Sequence, residues 1–260
     1  MTFRDDALAG QHIVISGGAG AIGVGIVRKL VEHGAQVTVN DIVAPDEARQ
    51  RLQTAGVKLE STHYVQADLT LEADVRRLIA AAREKFGPVH NALCHVGTVF
   101  PGPLLDITLA EWEKTQSVNV TTAFLLGQAA AKAMIEDHIQ GQLIFTSSWV
   151  AQVPWPEIGP YNASKAAMNQ LMRSFARELA TEGIRANAIA PGIVGVGLAK
   201  WQWDTDPTYR ARAQKAIPLG DMQLLDSVAD AFLFMCSPAS RYMTGSILTV
   251  DGGCSLYPMD

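Results

Sequence analysis

Cysteine is scarce in this sequence, and its three cysteines lie far apart. Cys94, Cys236 and Cys254 form no C-x-x-C pair and no spacing that is typical of a metal site. An odd and sparse cysteine count favours a reducing compartment over a secreted fold held by disulfides. We therefore predict no metal site and a cytoplasmic location.

The sequence also lacks long uncharged apolar runs and any excess of basic residues. No run reaches the length of a membrane span, and the first six residues lack the basic-then-apolar order of a signal peptide. The net charge of −5, with Lys and Arg scattered, argues against nucleic acid as the main partner. Because no linker, repeat or low-complexity segment divides the chain, we expect one domain over residues 1–260.

Apolar strands and amphipathic helices alternate along the chain. This alternation is typical of an α/β protein with a parallel sheet covered on both faces. Right-handed crossovers then predict a doubly wound sheet of about seven strands, with the site at the carboxyl ends of the strands. The predicted strands are 11–16, 36–40, 59–67, 89–96, 142–147, 185–190 and 246–250, and the predicted helices are 21–33, 72–86, 109–137, 161–181 and 226–237.

A glycine cluster lies between the first predicted strand and the first helix. Gly18, Gly20 and Gly23 match the pattern G-x-G-x-x-G. A position between a strand and a helix is the context in which this pattern indicates dinucleotide binding. Glycine allows close backbone approach, and a helix N-terminus favours a pyrophosphate. Asp41 ends the next strand and is followed by Ile42 rather than a cation. A carboxylate there accepts hydrogen bonds from the ribose of NAD and repels the 2′-phosphate of NADP, which predicts NAD; a turn-capping role is the alternative.

Tyr161 and Lys165 are four residues apart in a predicted helix, so their side chains share one face. A phenol has a pKa of about 10, and a neighbouring ammonium favours the phenolate. We therefore expect Lys165 to lower the pKa of Tyr161, giving a proton-transfer pair that works near neutral pH. The same spacing also occurs in helices whose Tyr and Lys side chains are exposed and have no catalytic role.

Further motifs follow in order along the chain. Ser148 lies thirteen residues before Tyr161, and Asn119 lies within S-V-N-V. The others are residues 16–23, similar to T-G-x-x-x-G-x-G, the dipeptides Asp68-Leu69 and Pro191-Gly192, and the segments 242–245 and 250–253. Together they make residues 11–253 resemble a short-chain dehydrogenase/reductase of the family's shorter type.

The resemblance implies hydride transfer between a carbinol or carbonyl carbon and nicotinamide, with four catalytic residues. Tyr161 would take the hydroxyl proton, and Lys165 would assist it and bind the nicotinamide ribose. Ser148 would hydrogen-bond the substrate oxygen. Asn119 would hold a water that links Lys165 to solvent.

The resemblance also implies a set of cofactor-binding residues. Most belong to the glycine-rich turn or follow the predicted strands. They are Gly17, Gly20, Ala21, Ile22, Gly23, Asp41, Ile42, Asp68, Leu69, His95, Val96, Gly97, Tyr161, Lys165, Pro191, Gly192, Val194 and Val196.

The chain departs from the family pattern at two places. The usual N-N-A-G reads Cys94-His95-Val96-Gly97, so His95 would keep a backbone contact to the cofactor, reach the substrate pocket, or be a structural histidine. The threonine that usually follows Pro-Gly is Val196 here. Backbone groups near Val194 would then hold the nicotinamide carboxamide.

Residues 149–157 and 195–215 are the segments that select substrate in this family, the second as a lid. They hold four of the five tryptophans, beside polar and basic residues. Aromatic faces with polar neighbours suit a sugar, polyol or sugar acid, although the tryptophans would equally close a lid or pack a subunit interface. The predicted substrate-binding residues are Ser148, Trp149, Trp155, Tyr161, Trp201 and Arg210.

Several alternatives stay open. Other enzymatic possibilities are an NADP-dependent ketone or 3-oxoacyl-thioester reductase and a dehydrogenase of a cyclic alcohol or dihydrodiol. A non-catalytic nucleotide-binding regulator on the same fold is a remote alternative. The resemblance also implies a homotetramer that pairs through the helices near residues 109 and 161, with residues 256–260 near an interface and Phe124, Met168 and Leu171 as apolar surface candidates.

Overall fold

The computed structural model describes residues 3–256 as seven parallel strands and nine α-helices. The strand order is β3-β2-β1-β4-β5-β6-β7. The strands are β1 His12–Ser16, β2 Gln36–Asp41, β3 Thr62–Gln66, β4 Asn91–Cys94, β5 Gln142–Thr146, β6 Arg185–Pro191 and β7 Ile247–Val250. The helices are α1 Gly23–Glu32, α2 Pro45–Thr54, α3 Glu72–Phe86, α4 Leu109–Gln116, α5 Thr122–Glu136, α6 Gly159–Leu179, α7 Gly197–Thr205, α8 Pro207–Ala216 and α9 Leu225–Cys236.

Strand β1 lies in the interior of the sheet and is buried on both faces. Val14 packs in one core cluster with residues of α3, α5 and α6. Its neighbours Ile13 and Ile15 point the other way, into a cluster with residues of α1 and α9. The predicted doubly wound α/β fold, with about seven strands and helices on both faces, is confirmed.

The strand order reverses between β1 and β4, which are neighbours in the sheet. The chain runs from β1 outward to β3, then returns to β4 and proceeds toward β7. Ligands of open α/β sheets bind at such a switch point, beyond the carboxyl ends of the strands. The residues that follow β1, β4, β5 and β6 therefore meet in one region.

The predicted helix at residues 109–137 is interrupted by one turn of π-helix, Ser117–Thr121, between α4 and α5. This turn carries Asn119, which is fully buried. Turns of this kind occur frequently at functional sites. The single periodic pattern did not indicate where the break would fall.

Two features differ from the sequence-based expectations. Helix α2 was not predicted, because it is strongly polar and buries only Ala48 and Leu52. Met168 was expected at the surface, but it is fully buried among residues of α3, α5 and α6. This expectation was wrong because Met168 lies on the face of α6 that meets the sheet, whereas Phe124 is exposed.

The predicted lid region folds as two short helices, α7 and α8. Asp206 caps α8 by accepting hydrogen bonds from the backbone N–H groups of Thr208 and Tyr209, at 2.8 and 3.1 Å. All three cysteines are buried and free. Over residues 3–256, no helix combines the length and apolar character that crossing a bilayer requires.

Candidate active site

A cleft of about 940 Å³ lies at the carboxyl ends of the strands. The glycine-rich turn after β1 and the ends of β2 and β3 line one end. Helices α7 and α8 and the segment after β5 line the other. Tyr161 and Lys165 lie between these two ends, so the cleft is long enough for an extended ligand and a second small molecule.

The turn between β1 and α1 is packed too closely for a side chain at Gly17 or Gly23. Gly17 has a φ of +67°, and a Cβ on Gly23 would lie 2.3 Å from the carbonyl oxygen of Gly17. Helix α1 begins directly after this turn and has no acidic residue in its first turn. The positive end of this helix therefore favours an anion next to Ala21 and Ile22, which line the cleft.

Asp41 lies at the end of β2 and fixes this turn while it lines the cleft. Its carboxylate accepts hydrogen bonds from the backbone N–H groups of Ala19, at 3.2 Å, and Ile42, at 2.8 Å. Arg51 of α2 also lines this end of the cleft, which the sequence did not indicate. Its guanidinium donates to the carbonyl of Ala19 at 3.2 Å and pairs with Glu47.

Ser148, Tyr161 and Lys165 meet in the middle of the cleft. Ser148 follows β5, and its side chain is close enough to Tyr161 to lower the pKa of the phenol slightly. The ammonium of Lys165 donates to the carbonyl of Thr146 at 2.7 Å and lies 5.3 Å from the centre of the Tyr161 ring. The helical spacing of α6 thus brings the predicted proton-transfer pair to one face, directed into the cleft.

Burial changes the acidity of both members of this pair. It raises the pKa of Tyr161 to about 12, against a smaller opposing effect of the nearby Ser148 hydroxyl. Burial lowers the pKa of Lys165 to about 8. The pKa of Tyr161 is therefore raised and not lowered in the protein alone, because desolvation of the phenolate dominates.

Asn119 lies beneath the cleft rather than in its lining. Its side-chain oxygen accepts from the backbone N–H of Thr98 at 2.7 Å. Its amide nitrogen donates to the carbonyl of Thr98 at 3.0 Å and to the hydroxyl of Ser164 at 2.9 Å. Asn119 therefore joins the π-turn to α6 and to the loop after β4, and a role in holding water stays a prediction.

His95 lies at the end of β4 and lines the cleft. Its ring nitrogen Nδ1 is 2.9 Å from the hydroxyl of Thr146, and its ring stands edge-on to Phe232. Its backbone N–H donates to the hydroxyl of Ser16 at 2.9 Å. Burial, with a smaller effect of Lys165, lowers the pKa of His95 to about 3, so the ring is neutral.

Gln223, which lies outside the loop after β6, is hydrogen-bonded to three residues of that loop. The side-chain oxygen of Gln223 accepts from the N–H of Gly192 at 2.9 Å. Its backbone N–H donates to Ile193 at 2.8 Å, and its carbonyl accepts from Gly195 at 2.9 Å. These bonds position the loop in which Val196 replaces the usual threonine.

Aromatic side chains line the other end of the cleft. Trp149 and Trp155 meet edge to face with ring centres 5.5 Å apart, and Tyr209 meets Trp155 at 6.1 Å. Arg212 also lines the cleft, with its guanidinium 5.8 Å from the centre of the Trp155 ring. Its side chain lies 3.4 Å from the carboxylate of Glu157.

Two predicted substrate residues do not line the cleft. Trp201 is 62% exposed, and Arg210 is exposed and donates to the carbonyl of Trp203 at 2.7 Å. Helix α8, which carries Arg210, instead directs Tyr209 and Arg212 into the cleft. Asp206 marks in the sequence where α8 begins, but the side of α8 that faces the cleft is set by packing on Trp155.

Most of the predicted site residues share this one cleft. Gly23, Asn119 and Pro191 lie next to it without lining it. The predicted residues that line it are Gly17, Gly20, Ala21, Ile22, Asp41, Ile42, Asp68, Leu69, His95, Val96, Gly97, Ser148, Trp149, Trp155, Tyr161, Lys165, Gly192, Val194 and Val196. Arg51 and Lys114 also line the cleft and were not predicted, whereas Gln202, Tyr209 and Arg212 belong to the predicted lid segment but were not named as substrate-binding residues.

A glycine-rich turn at a helix N-terminus, in one cleft with a Ser–Tyr–Lys group, defines an oxidoreductase that uses a nicotinamide dinucleotide. A family model described as enoyl-(acyl carrier protein) reductase matches residues 17–255. The chain belongs to the short-chain dehydrogenase/reductase family and is an oxidoreductase that acts on an alcohol.

Three similar proteins cover almost the whole chain. Glucose 1-dehydrogenase of Gluconobacter oxydans (strain 621H) is 32% identical over 252 residues, which are 97% of this chain and 94% of that protein. The 3beta-hydroxysteroid dehydrogenase 1 of Eggerthella lenta is 31% identical over 253 residues, or 97% of each chain. A crystal structure of a short-chain type dehydrogenase/reductase from Mycobacterium marinum is 31% identical with a TM-score of 0.86, covering 99% of this chain and 100% of that chain.

Proposed function

We propose that the protein is an NAD-dependent dehydrogenase of a secondary alcohol or hemiacetal on a small hydroxylated molecule, namely a sugar, polyol or sugar acid. The observation that carries the proposal is the position of Ser148, Tyr161 and Lys165 between a dinucleotide-type turn and an aromatic pocket in one cleft. Similarity to a glucose 1-dehydrogenase supports the substrate class.

The residues of the cleft divide the proton chemistry among them. Ser148 binds the substrate oxygen and orients it toward the phenol of Tyr161, which lines the same part of the cleft. Tyr161 takes the hydroxyl proton as the alcohol is oxidised. Lys165 is fixed by the carbonyl of Thr146 and supplies positive charge that favours the phenolate of Tyr161, the form that takes the proton.

The cleft residues fit a dinucleotide along its whole length. The close-packed glycine turn and the N-terminus of α1 receive the pyrophosphate. The loop at Gly192 and Val194 holds the nicotinamide end. When bound, NAD accepts hydride and adds the positive charge of its nicotinamide beside Tyr161. Such a charge opposes the effect of burial on the pKa of Tyr161.

The charges at the adenosine end support NAD over NADP. Asp41 directs a carboxylate into the cleft, and Asp68 adds a second acidic side chain. Arg51 is the one nearby cation among the lining residues of this end, and Glu47 and the carbonyl of Ala19 occupy its guanidinium. A 2′-phosphate would have to displace these partners and approach Asp41.

A cofactor and substrate screen tests the proposal. The purified protein is mixed with NAD or NADP and with sugars, polyols, sugar acids, simple alcohols and steroid alcohols, and reduced cofactor is followed by absorbance. We expect oxidation of a hydroxylated substrate with at least a tenfold preference for NAD. Oxidation of only steroids or other apolar alcohols would contradict the substrate class, and a preference for NADP would contradict the cofactor.

A second candidate is a dehydrogenase of an apolar cyclic alcohol. The aromatic walls formed by Trp149, Trp155 and Tyr209 favour it, because they offer a large apolar contact area. A 3beta-hydroxysteroid dehydrogenase is among the similar proteins. The same screen separates the two candidates.

A further inference from the structure

We propose that the substrate carries a carboxylate, and that Arg212 of α8 binds it. The inference rests on the proposed function, because it names the chemical class of substrate for the same cleft. The pairing of Arg212 with Glu157 then holds the arginine in place until the substrate carboxylate replaces Glu157.

The structure fixes the position of Arg212 through its helix and its aromatic neighbours. Tyr209 and Arg212 are three residues apart on α8 and therefore share one face. Both meet Trp155, Tyr209 at 6.1 Å between ring centres and Arg212 at 5.8 Å from its guanidinium to the ring centre. A guanidinium over an aromatic face keeps its N–H groups free for an anion in the plane of the group.

The aromatic residues connect Arg212 to the reacting end of the cleft. Trp155 meets Trp149, which directly follows Ser148. The amide of Asn162, next to Tyr161 on α6, donates to the carbonyl of Trp155 at 2.8 Å. A substrate whose hydroxyl lies at Ser148 and Tyr161 would thus extend along Trp149 and Trp155 toward the guanidinium.

The ion pair between Arg212 and Glu157 is weak enough to be exchanged. The two side chains are 39% and 57% exposed and lie 3.4 Å apart, and exposed pairs of this kind add little stability. A carboxylate within the cleft would accept two parallel hydrogen bonds from the same guanidinium in a less hydrated place. Glu157, once released, would be solvated at little cost.

Glu157 is held in an unusual backbone conformation. Its φ is +64°, one of two such values at residues other than glycine between 3 and 256. Its carbonyl accepts from the N–H of Gly102 at 2.7 Å. Strained residues of this kind persist where the surrounding structure over-determines them, and they cluster at binding sites. The carboxylate of Asp206, which also lines the cleft, is occupied as the cap of α8.

Matched probes test the carboxylate site. D-Gluconate and D-glucitol differ only in a carboxylate against a hydroxymethyl group, and each is titrated into protein loaded with NADH and is also assayed with NAD. We expect D-gluconate to bind more tightly and, where both are oxidised, to have the higher kcat/KM. Arg212→Gln should weaken D-gluconate binding by about 10- to 100-fold, the loss expected for charge-assisted hydrogen bonds, and change D-glucitol binding less than threefold.

Two further variants complete the experiment. Lys215→Gln removes one positive charge from an exposed position of α8 outside the lining of the cleft, and it should leave both ligands unaffected. Glu157→Gln should strengthen D-gluconate binding by about two- to fivefold, because the competing carboxylate is gone.

The outcomes separate the inference from the proposed function. Equal binding of the two ligands, or a preference that survives in Arg212→Gln, would overturn the carboxylate site while leaving alcohol oxidation intact. Carboxylate binding without oxidation of any alcohol by either cofactor would support the site and overturn the proposed function.

Discussion

Burial acts in opposite directions on the titrating side chains of the cleft. It raises the pKa of the Tyr161 phenol to about 12 and lowers the pKa of the Lys165 ammonium to about 8. The spacing of the two residues was readable from the sequence, because four residues make one helical turn. Their acidity was not, since it depends on desolvation by residues distant in the chain.

Tyr161 should remain protonated in the free protein. The expected result is no ionisation of this residue below about pH 10, since burial raises its pKa above that of a free phenol. Absorbance of phenolate is measured against pH, and the Tyr161→Phe protein is subtracted to isolate the residue. Ionisation of Tyr161 at pH 8 in the absence of cofactor would contradict the structure.

His95 should make the fold sensitive to acid. Its pKa is about 3 in the folded protein and about 6.5 when unfolded, so the unfolded chain binds more protons between these values. The stability of the folded protein that depends on neutral His95 is therefore lost as the pH falls from about 6.5 toward 3. When the pH is lowered from 7.5 to 5, the free energy of unfolding should fall by about 1–2 kcal/mol less in His95→Asn than in the wild type. Urea unfolding at the two pH values measures this difference.

A matched control for this measurement is available at His138, which is exposed. His138→Asn should follow the wild type at both pH values. The account of His95 fails if its replacement leaves the pH dependence of the free energy of unfolding unchanged.

At the scale of elements, local signals predicted the strands, the glycine turn and α6. Each depends on short-range periodicity or on glycine, so one sequence is enough to find it. Helix α2 and the orientation of α8 were missed. Ala48 and Leu52 give α2 too weak an apolar pattern, and the side of α8 that faces the cleft is set by its packing on Trp155.

The loop after β6 should depend on Gln223. Gln223→Ala removes the hydrogen bond to the N–H of Gly192, which leaves that group with its longer contact to Val250, at 3.2 Å. We expect KM for NAD to rise about five- to tenfold with a smaller change in kcat, because the loop would be less well positioned. Gln170→Ala, at an exposed position of α6, is the control. A fall in kcat without a change in KM would argue against this positioning role.

At the scale of the whole molecule, apolar side chains remain exposed along α4 and α5. Leu109 is 70% exposed, and Trp112 and Phe124 are each 40% exposed. Exposed apolar residues gathered on neighbouring helices favour association of subunits. We therefore propose the homotetramer that the family resemblance implies. Residues 257–260 of the proposed C-terminal contact lie outside the described part of the chain, and the cytoplasmic location stays a prediction.

Light scattering with size exclusion tests the assembly. The expected particle mass is four times the 27.9 kDa of the chain. Phe124→Asp should reduce this mass, because a charge would have to be buried where two subunits pack. A monomer mass for the wild type at micromolar concentration would contradict the proposal.

The most direct test of the proton-transfer role is the rate of alcohol oxidation by Tyr161→Phe. The variant keeps the ring and its packing and removes only the phenolic oxygen, which accepts the proton when it is ionised. NADH formation is measured with the best substrate of the screen, and NADH binding by fluorescence is the control. The account predicts a rate at least about a thousandfold below wild type, within the range of general acid–base catalysis, and NADH affinity within about threefold. A near-normal rate in this variant would contradict it.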